Sequence, residues 1–170
     1  MDYYNSMNDL KNLFIKFINK APSFGKSFIC IDDRNNRDVL KKIKIKNFYT
    51  YGVDSKSQFR IKNIKQVKDY SEYDLAINLP GKKNIVINKI KIPLLGIHNV
   101  LNSTAAVAVA LTIGISKDVI KSGLKEFKGV QRRFNKIFTH RETSFYDDYA
   151  HHPTEIKEVL NGVRAAYKKE

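Results

Sequence analysis

Tryptophan is absent from this sequence of 170 residues, and cysteine occurs once, at position 30. A single thiol rules out an internal disulfide, so burial and hydrogen bonding must hold the fold by themselves. Cys30 stands inside the apolar run Phe28-Ile29-Cys30-Ile31, which predicts a small core residue rather than a reactive one. Four prolines and eight glycines are too few for a low-complexity or collagen-like chain. No stretch reaches the roughly 20 apolar residues of a membrane helix. The start, with Asp2 and Asn5, lacks the apolar run of a secretory leader. These absences predict a cytoplasmic protein that makes no membrane contact.

Acidic residues are also scarce, 17 against 31 Lys and Arg, for a formal charge of +14. Such an excess is the usual footprint of a nucleic-acid binder, so its distribution matters. Nearly all of it is Lys, scattered through positions 41 to 91 among Ile and Asn, with no arginine stripe and no aromatic-basic motif. The pattern predicts a solvated surface, with a basic nucleic-acid-binding module as the alternative from another functional class. With 42% hydrophobic residues the chain can bury a core of one or two domains.

A helix is expected first, capped by Ser6 or Asn8. Leu10, Phe14, Ile15, Phe17 and Ile18 form an apolar face that should pack on a sheet. Ser27 to Asp32 is a short buried strand, Arg37 to Ile43 a short helix, and Asn47 to Tyr51 a second strand closed by Gly52. Such alternation predicts a parallel α/β layer. From Gln58 to Ile92 three runs alternate apolar with polar, as antiparallel strands with one wet face do. This small antiparallel sheet is appended to the α/β layer. The run Ala105 to Leu111 is apolar nearly all round and predicts a buried helix. Gly114 ends it, and Ser116 caps the next helix, which runs through Phe127 before Gly129. Two short strands, Phe134 to Phe138 and Ser144 to Asp148, precede a last helix with Pro153 in its first turn.

Four stretches bear on chemistry. Pro22-Ser23-Phe24-Gly25-Lys26-Ser27 imitates the tail of a phosphate-binding loop. The loop's first glycine would fall on Lys20, however, and the motif must open a helix where this one opens a strand, so a turn is expected. In Gly96 to Ala106, Asn99 and Asn102 lie three apart on one helical face, and a carboxamide both donates and accepts, as an adenine edge requires. His98 and Asn99 could equally cap a helix. In Gly129-Val130-Gln131-Arg132-Arg133-Phe134, one or both guanidiniums could clamp phosphate or ribose oxygens. In Tyr146 to Ile156, Asp147, Asp148, His151 and His152 cluster at a strand-to-helix junction, where α/β sites collect polar groups. A transition metal on Asp148, His151 and His152 is set aside, because adjacent histidines on a turn seldom point at one ion.

In their order and separations these stretches resemble the Mur ligases over essentially the whole chain, with weaker support from Asp2-Tyr3-Tyr4 and Tyr51-Gly52. They resemble most the branch that joins L-alanine to UDP-N-acetylmuramate. The neighbouring branch, which attaches a recovered tripeptide, is the closest alternative. The resemblance implies a partial P-loop-type central domain over residues 1–131. Residues 132–170 would form the first strand and helix of a Rossmann-like C-terminal domain. It implies ATP and Mg²⁺ as cofactors, with the phosphate loop and the main Mg²⁺ ligands upstream of this chain, so that the fragment alone is inactive. It also implies that UDP-N-acetylmuramate and L-alanine are the substrates and that nucleic acid is not a partner. Asn99 and Asn102 are implied at the adenine, and Arg133, with Arg132, near ribose or phosphates. Asp148 would lie on the ribose or phosphate side, with His98 and His151 near the cleft. Arg133, Asp148 and His151 are the residues expected to serve catalysis.

Overall fold

The computed structural model describes residues 4–67 and 69–167. They form two compact units. The first comprises the chain up to Ile61 together with Ala76–Val86, and the second Lys62–Leu75 together with the residues from Ile87 onward.

In the first unit, α1 (Met7–Asn19) begins at Ser6, whose hydroxyl accepts the Asp9 N–H and supplies one of the helix's orphan donors with a partner. β1 (Ser27–Cys30) pairs in parallel with β2 (Phe48–Gly52), and β2 in parallel with the opening of β3 (Phe59–Val67). Between β1 and β2 runs the short α2 (Arg34–Leu40), capped by Asp33. Parallel neighbours need such a crossover. Phe28, Tyr49 and Phe59 meet with ring centroids 5.8–6.5 Å apart. Ile29, Ile31, Val39, Ile61 and Ile77 complete this buried core.

The two aspartates at the end of β1 are structural. Asp33 accepts the Asn35 and Asn36 N–H groups, and Asp32 accepts those of Val53 and Asp54 at 2.9 and 3.0 Å. Gly52 has φ +147°, and a Cβ there would lie 2.4 Å from Asp32 Oδ1, so only glycine lets β2 run under that carboxylate. Gly25 lies in a turn closed by its N–H on the Pro22 carbonyl, directly before β1. Two expectations need correcting. No residue of α1 is buried, and Phe14 and Phe17 are 51% and 73% exposed. The helix lies beside α2 through Lys11 and Asp38, 2.9 Å apart, and seven residues of α2 cannot cover its apolar face. Cys30 is half-buried rather than core, and that burial raises its thiol pKa.

β3, β4 (Tyr70–Ile77) and β5 (Ile85–Ile92) are hydrogen-bonded neighbours in that order, and most of their residues lie in the second unit. β3 ends at Val67 and β4 starts at Tyr70, a gap between neighbours that only an antiparallel hairpin spans. Asp74, on β4, accepts from Asn63 Nδ2 at 2.7 Å and from the Lys89 N–H at 2.8 Å. Asn63 and Lys89 are non-glycine residues with φ 52° and 55°. One carboxylate therefore fastens a left-handed residue on each flanking strand, and these partners hold its pKa below the usual carboxylate value. α3 (Ile97–Thr112) packs on this sheet through Val100, Ser103, Thr104, Val107 and Ala108. It is buried on one face only, for Ala106 and Val109 are exposed. α4 (Lys117–Glu126) starts at Ser116, whose hydroxyl accepts the Val119 N–H. β6 (Asn135–His140) and β7 (Thr143–Asp147) form a separate antiparallel pair. α5 (Pro153–Ala166) follows, its end tied by Tyr167 Oη donating to Asp69 at 3.2 Å.

Candidate functional site

The second unit contains a cavity of about 620 Å³, within the range of small-molecule sites. Its wall is mainly apolar, with Leu94, Leu124, Phe127, Val130 and Phe134. The polar groups reaching it include His98, Asn99, Asn102, Arg133, Asp148 and Glu158. Five of these were singled out from sequence, and three separated segments bring them together.

The first segment is the turn into α3. Gly96, with φ +94°, is its N-cap, and the His98 ring folds back over it so closely that a Cβ would meet Cε1 at 2.5 Å. Gln66 Oε1 accepts the Gly96 N–H at 2.9 Å and fixes the turn. Asn99 Nδ2 donates to the Leu95 carbonyl at 2.7 Å, which leaves its own carbonyl as an acceptor for another group. Asn102 and Ala106 continue this face at helical spacing, and the alanine leaves room for a ligand.

The second segment carries Arg133. Its neighbours Arg132 and Phe134 have φ 58° and 53°, conformations that cost an L-residue about 1–2 kcal/mol each. The surroundings hold them there. The Arg132 carbonyl accepts the Tyr149 N–H at 2.8 Å, and Asp148 Oδ2 accepts that of Phe134 at 2.8 Å. Phe134 stacks on Tyr146 with centroids 4.4 Å apart. This contortion sends the two arginines apart. Arg133 faces the cavity, where no described carboxylate ion-pairs with it, whereas Arg132 lies over the Tyr149 ring and 3.7 Å from Asp147.

The third segment follows β7. Asp148 Oδ1 accepts the Ala150 N–H at 2.7 Å, so both its oxygens fasten backbone. His152 is the N-cap of α5, accepting the Thr154 N–H in a capping box with Glu155. His151 stays outside the cavity lining, 74% exposed, with Nδ1 3.1 Å from the Tyr149 carbonyl. Glu158 is a charged lining residue that lies outside the motifs read from sequence. Its signal was its place four residues after Thr154, on the same helical face.

Residues 1–110 match the Mur ligase middle domain. The chain belongs to that family. This Mur ligase chain is 81% identical over its full length to the UDP-N-acetylmuramate–L-alanine ligase of Pelagibacter ubique, of which it covers 37%. It is 41% identical over 99% of its length to the ligase of the same name from Brachyspira hyodysenteriae, covering 35% of that protein. Among solved structures it superposes on the UDP-N-acetylmuramate-alanine ligase MurC from Thermotoga maritima with a TM-score of 0.70 at 25% identity, covering 98% of this chain and 35% of that one. It thus spans about a third of the length of these Mur ligases. No helix among its described residues is long and apolar enough to cross a membrane.

His98 makes the cavity sensitive to pH. Burial pushes its pKa below the ordinary 6.5, Glu158 and Asp148 pull it up, and Arg133 pushes it down. Its Nδ1 is buried without a partner. The folded chain therefore binds fewer protons here than the unfolded chain. The stability that neutral His98 supports is complete above pH 6.5 and falls as pH drops below it. Thermal melts between about pH 7 and pH 5, above the range where carboxylates titrate, should show the midpoint falling. His98→Gln should flatten that slope; an equal slope in both proteins would remove His98 as its source.

Proposed function

We propose that this chain is the nucleotide-handling segment of an ATP-dependent ligase that joins L-alanine to UDP-N-acetylmuramate. The observation that carries the proposal is the convergence of Asn99, Asn102 and Arg133 on one largely apolar cavity. A nucleotide suits that wall. The apolar side chains take the base plane, the carboxamides of Asn99 and Asn102 read its edge, and the Arg133 guanidinium takes phosphate or ribose oxygens in forked geometry. Asp148, on the ribose or phosphate side, acts through the backbone of Phe134 and Ala150 and so sets where Arg133 points.

In such a ligase, ATP phosphorylates the muramate carboxylate and the alanine amine displaces phosphate to form the amide. This chain's part is to hold the nucleotide in line, which lowers the entropic share of the barrier. No three His, Cys, Asp or Glu side chains gather as a metal site among the described residues, so none of them is assigned as a Mg²⁺ ligand. The chemistry assigned to this chain therefore does not run through the ion. A domain boundary at 131/132 belongs to the same proposal, separating a central ATP-binding part from the opening of a C-terminal ligase part. It is supported by the separate β6–β7 pair that follows it.

The 81% identity supports the alanine branch over the tripeptide-attaching one. Replacing the matching segment of the Pelagibacter ubique ligase with these 170 residues tests it. The chimera should form the amide with ATP, L-alanine and UDP-N-acetylmuramate. A folded chimera that makes no product from these substrates would defeat the proposal.

A further inference from the structure

Gly162 is the one buried residue of α5 and stands in its interior. Glycine weakens a helix interior relative to alanine, so its presence there calls for a reason. Its φ is not positive, so the backbone does not require it. Space does. A Cβ at 162 would lie 2.9 Å from Gly96 Cα and 3.0 Å from Gly96 N, and backbone atoms cannot swing aside as the end of a side chain can. By contrast, a Cβ on Gly123 in α4 would meet nothing within 4 Å. The turn that α5 abuts is itself fixed, for Gln66 Oε1 accepts the Gly96 N–H and Ser71 Oγ donates to the Leu94 carbonyl at 2.5 Å. The far end of α5 is tied as well, since Tyr167 Oη donates to Asp69 and lies 3.3 Å from Tyr146 Oη.

We propose that Gly162 is a positioning residue, whose missing side chain lets α5 seat on the backbone of the α3 turn and so sets the width of the cavity between them. Both sides contribute to the wall: His98 and Asn99 from the start of α3, Glu158 and Val159 from α5. Val159 and Glu158 precede Gly162 by three and four residues, on the same helical face. With the end of α5 tied at Tyr167, sliding cannot absorb a methyl group at 162. The helix must tilt, and the lining residues one turn away lift from the α3 turn. What the width serves rests on the nucleotide reading of the cavity. A gap of about 0.5–1 Å forfeits roughly a quarter to a half of each dispersion contact, so a small tilt loosens the grip on a ligand.

The test compares Gly162→Ala with wild type by NMR on the full chain. In wild type the α-protons of Gly162 and Gly96 should show a nuclear Overhauser effect, and its absence overturns the proposal whether or not the variant folds. In Gly162→Ala the His98 titration should move up toward the ordinary 6.5, because water entering the widened gap relieves the burial that is the largest cause of its low pKa. Retreat of Glu158 works the other way but is the smaller cause. Adenosine affinity should fall about fivefold or more, the low end of what a forced backbone shift costs. Gly123→Ala should change neither reading. Alanine favours a helix, so a glycine with no positioning role predicts a folded Gly162→Ala chain with the wild-type His98 titration and adenosine affinity, and that result overturns the proposal. A His98 shift in Gly162→Ala, together with a wild-type chain that binds no adenosine, upholds the spacing role and defeats the nucleotide reading alone.

Discussion

Arg133→Ala should weaken ADP binding to this chain by about 10- to 100-fold and leave adenosine binding nearly unchanged. The magnitude follows from a charge-assisted hydrogen bond to phosphate, worth about 1.5–3 kcal/mol. The selectivity follows from position, since the guanidinium ion-pairs with no described carboxylate and lies between two residues that are themselves held in left-handed backbone. Arg133→Lys keeps the charge but loses the planar fork, so its ADP affinity should fall between the two. A second readout comes from His98, whose protonation Arg133 opposes. Removing the guanidinium should shift the His98 NMR titration upward. Equal ADP affinity in wild type and Arg133→Ala would show that this side chain does not meet the phosphates.

What the sequence made legible was mostly local. Ser6, Ser116 and Pro153 mark helix starts because a cap depends on residues within one turn of it. The two left-handed residues of the antiparallel strands also left a trace. In Ile61 to Ile64 and in Ile87 to Ile90 the apolar spacing stretches from two to three, and Asn63 and Lys89 lie in those gaps. The cavity's residues were legible as types in motifs, and Arg133 and Asp148 do line it together. Their division of labour was not. Neighbouring arginines look alike in sequence, and only the positive φ at Arg132 and Phe134 sends one inward and the other onto Tyr149. The alanine-rich run of α3 misled for another reason. Alanine on every side carries no angular information, so nothing in that run said that Ala106 would face the cavity rather than the core.

The sharpest separation of roles lies at Asp148, where replacement by Ala should reduce both stability and the binding of either adenosine or ADP. Two backbone donors, on Phe134 and Ala150, would lose their acceptor, at about 1–3 kcal/mol for each that stays unsatisfied. Phe134 would also lose the tether that keeps it at φ 53° and stacked on Tyr146. Relaxation there moves the cavity wall as well as Arg133, so adenosine suffers along with ADP, in contrast to Arg133→Ala. Asp148→Asn keeps one carbonyl acceptor and should lose about half as much stability, read from urea denaturation midpoints at constant slope. If Asp148→Ala instead unfolds at the wild-type midpoint yet loses nucleotide, the carboxylate touches the ligand itself, and the positioning role fails.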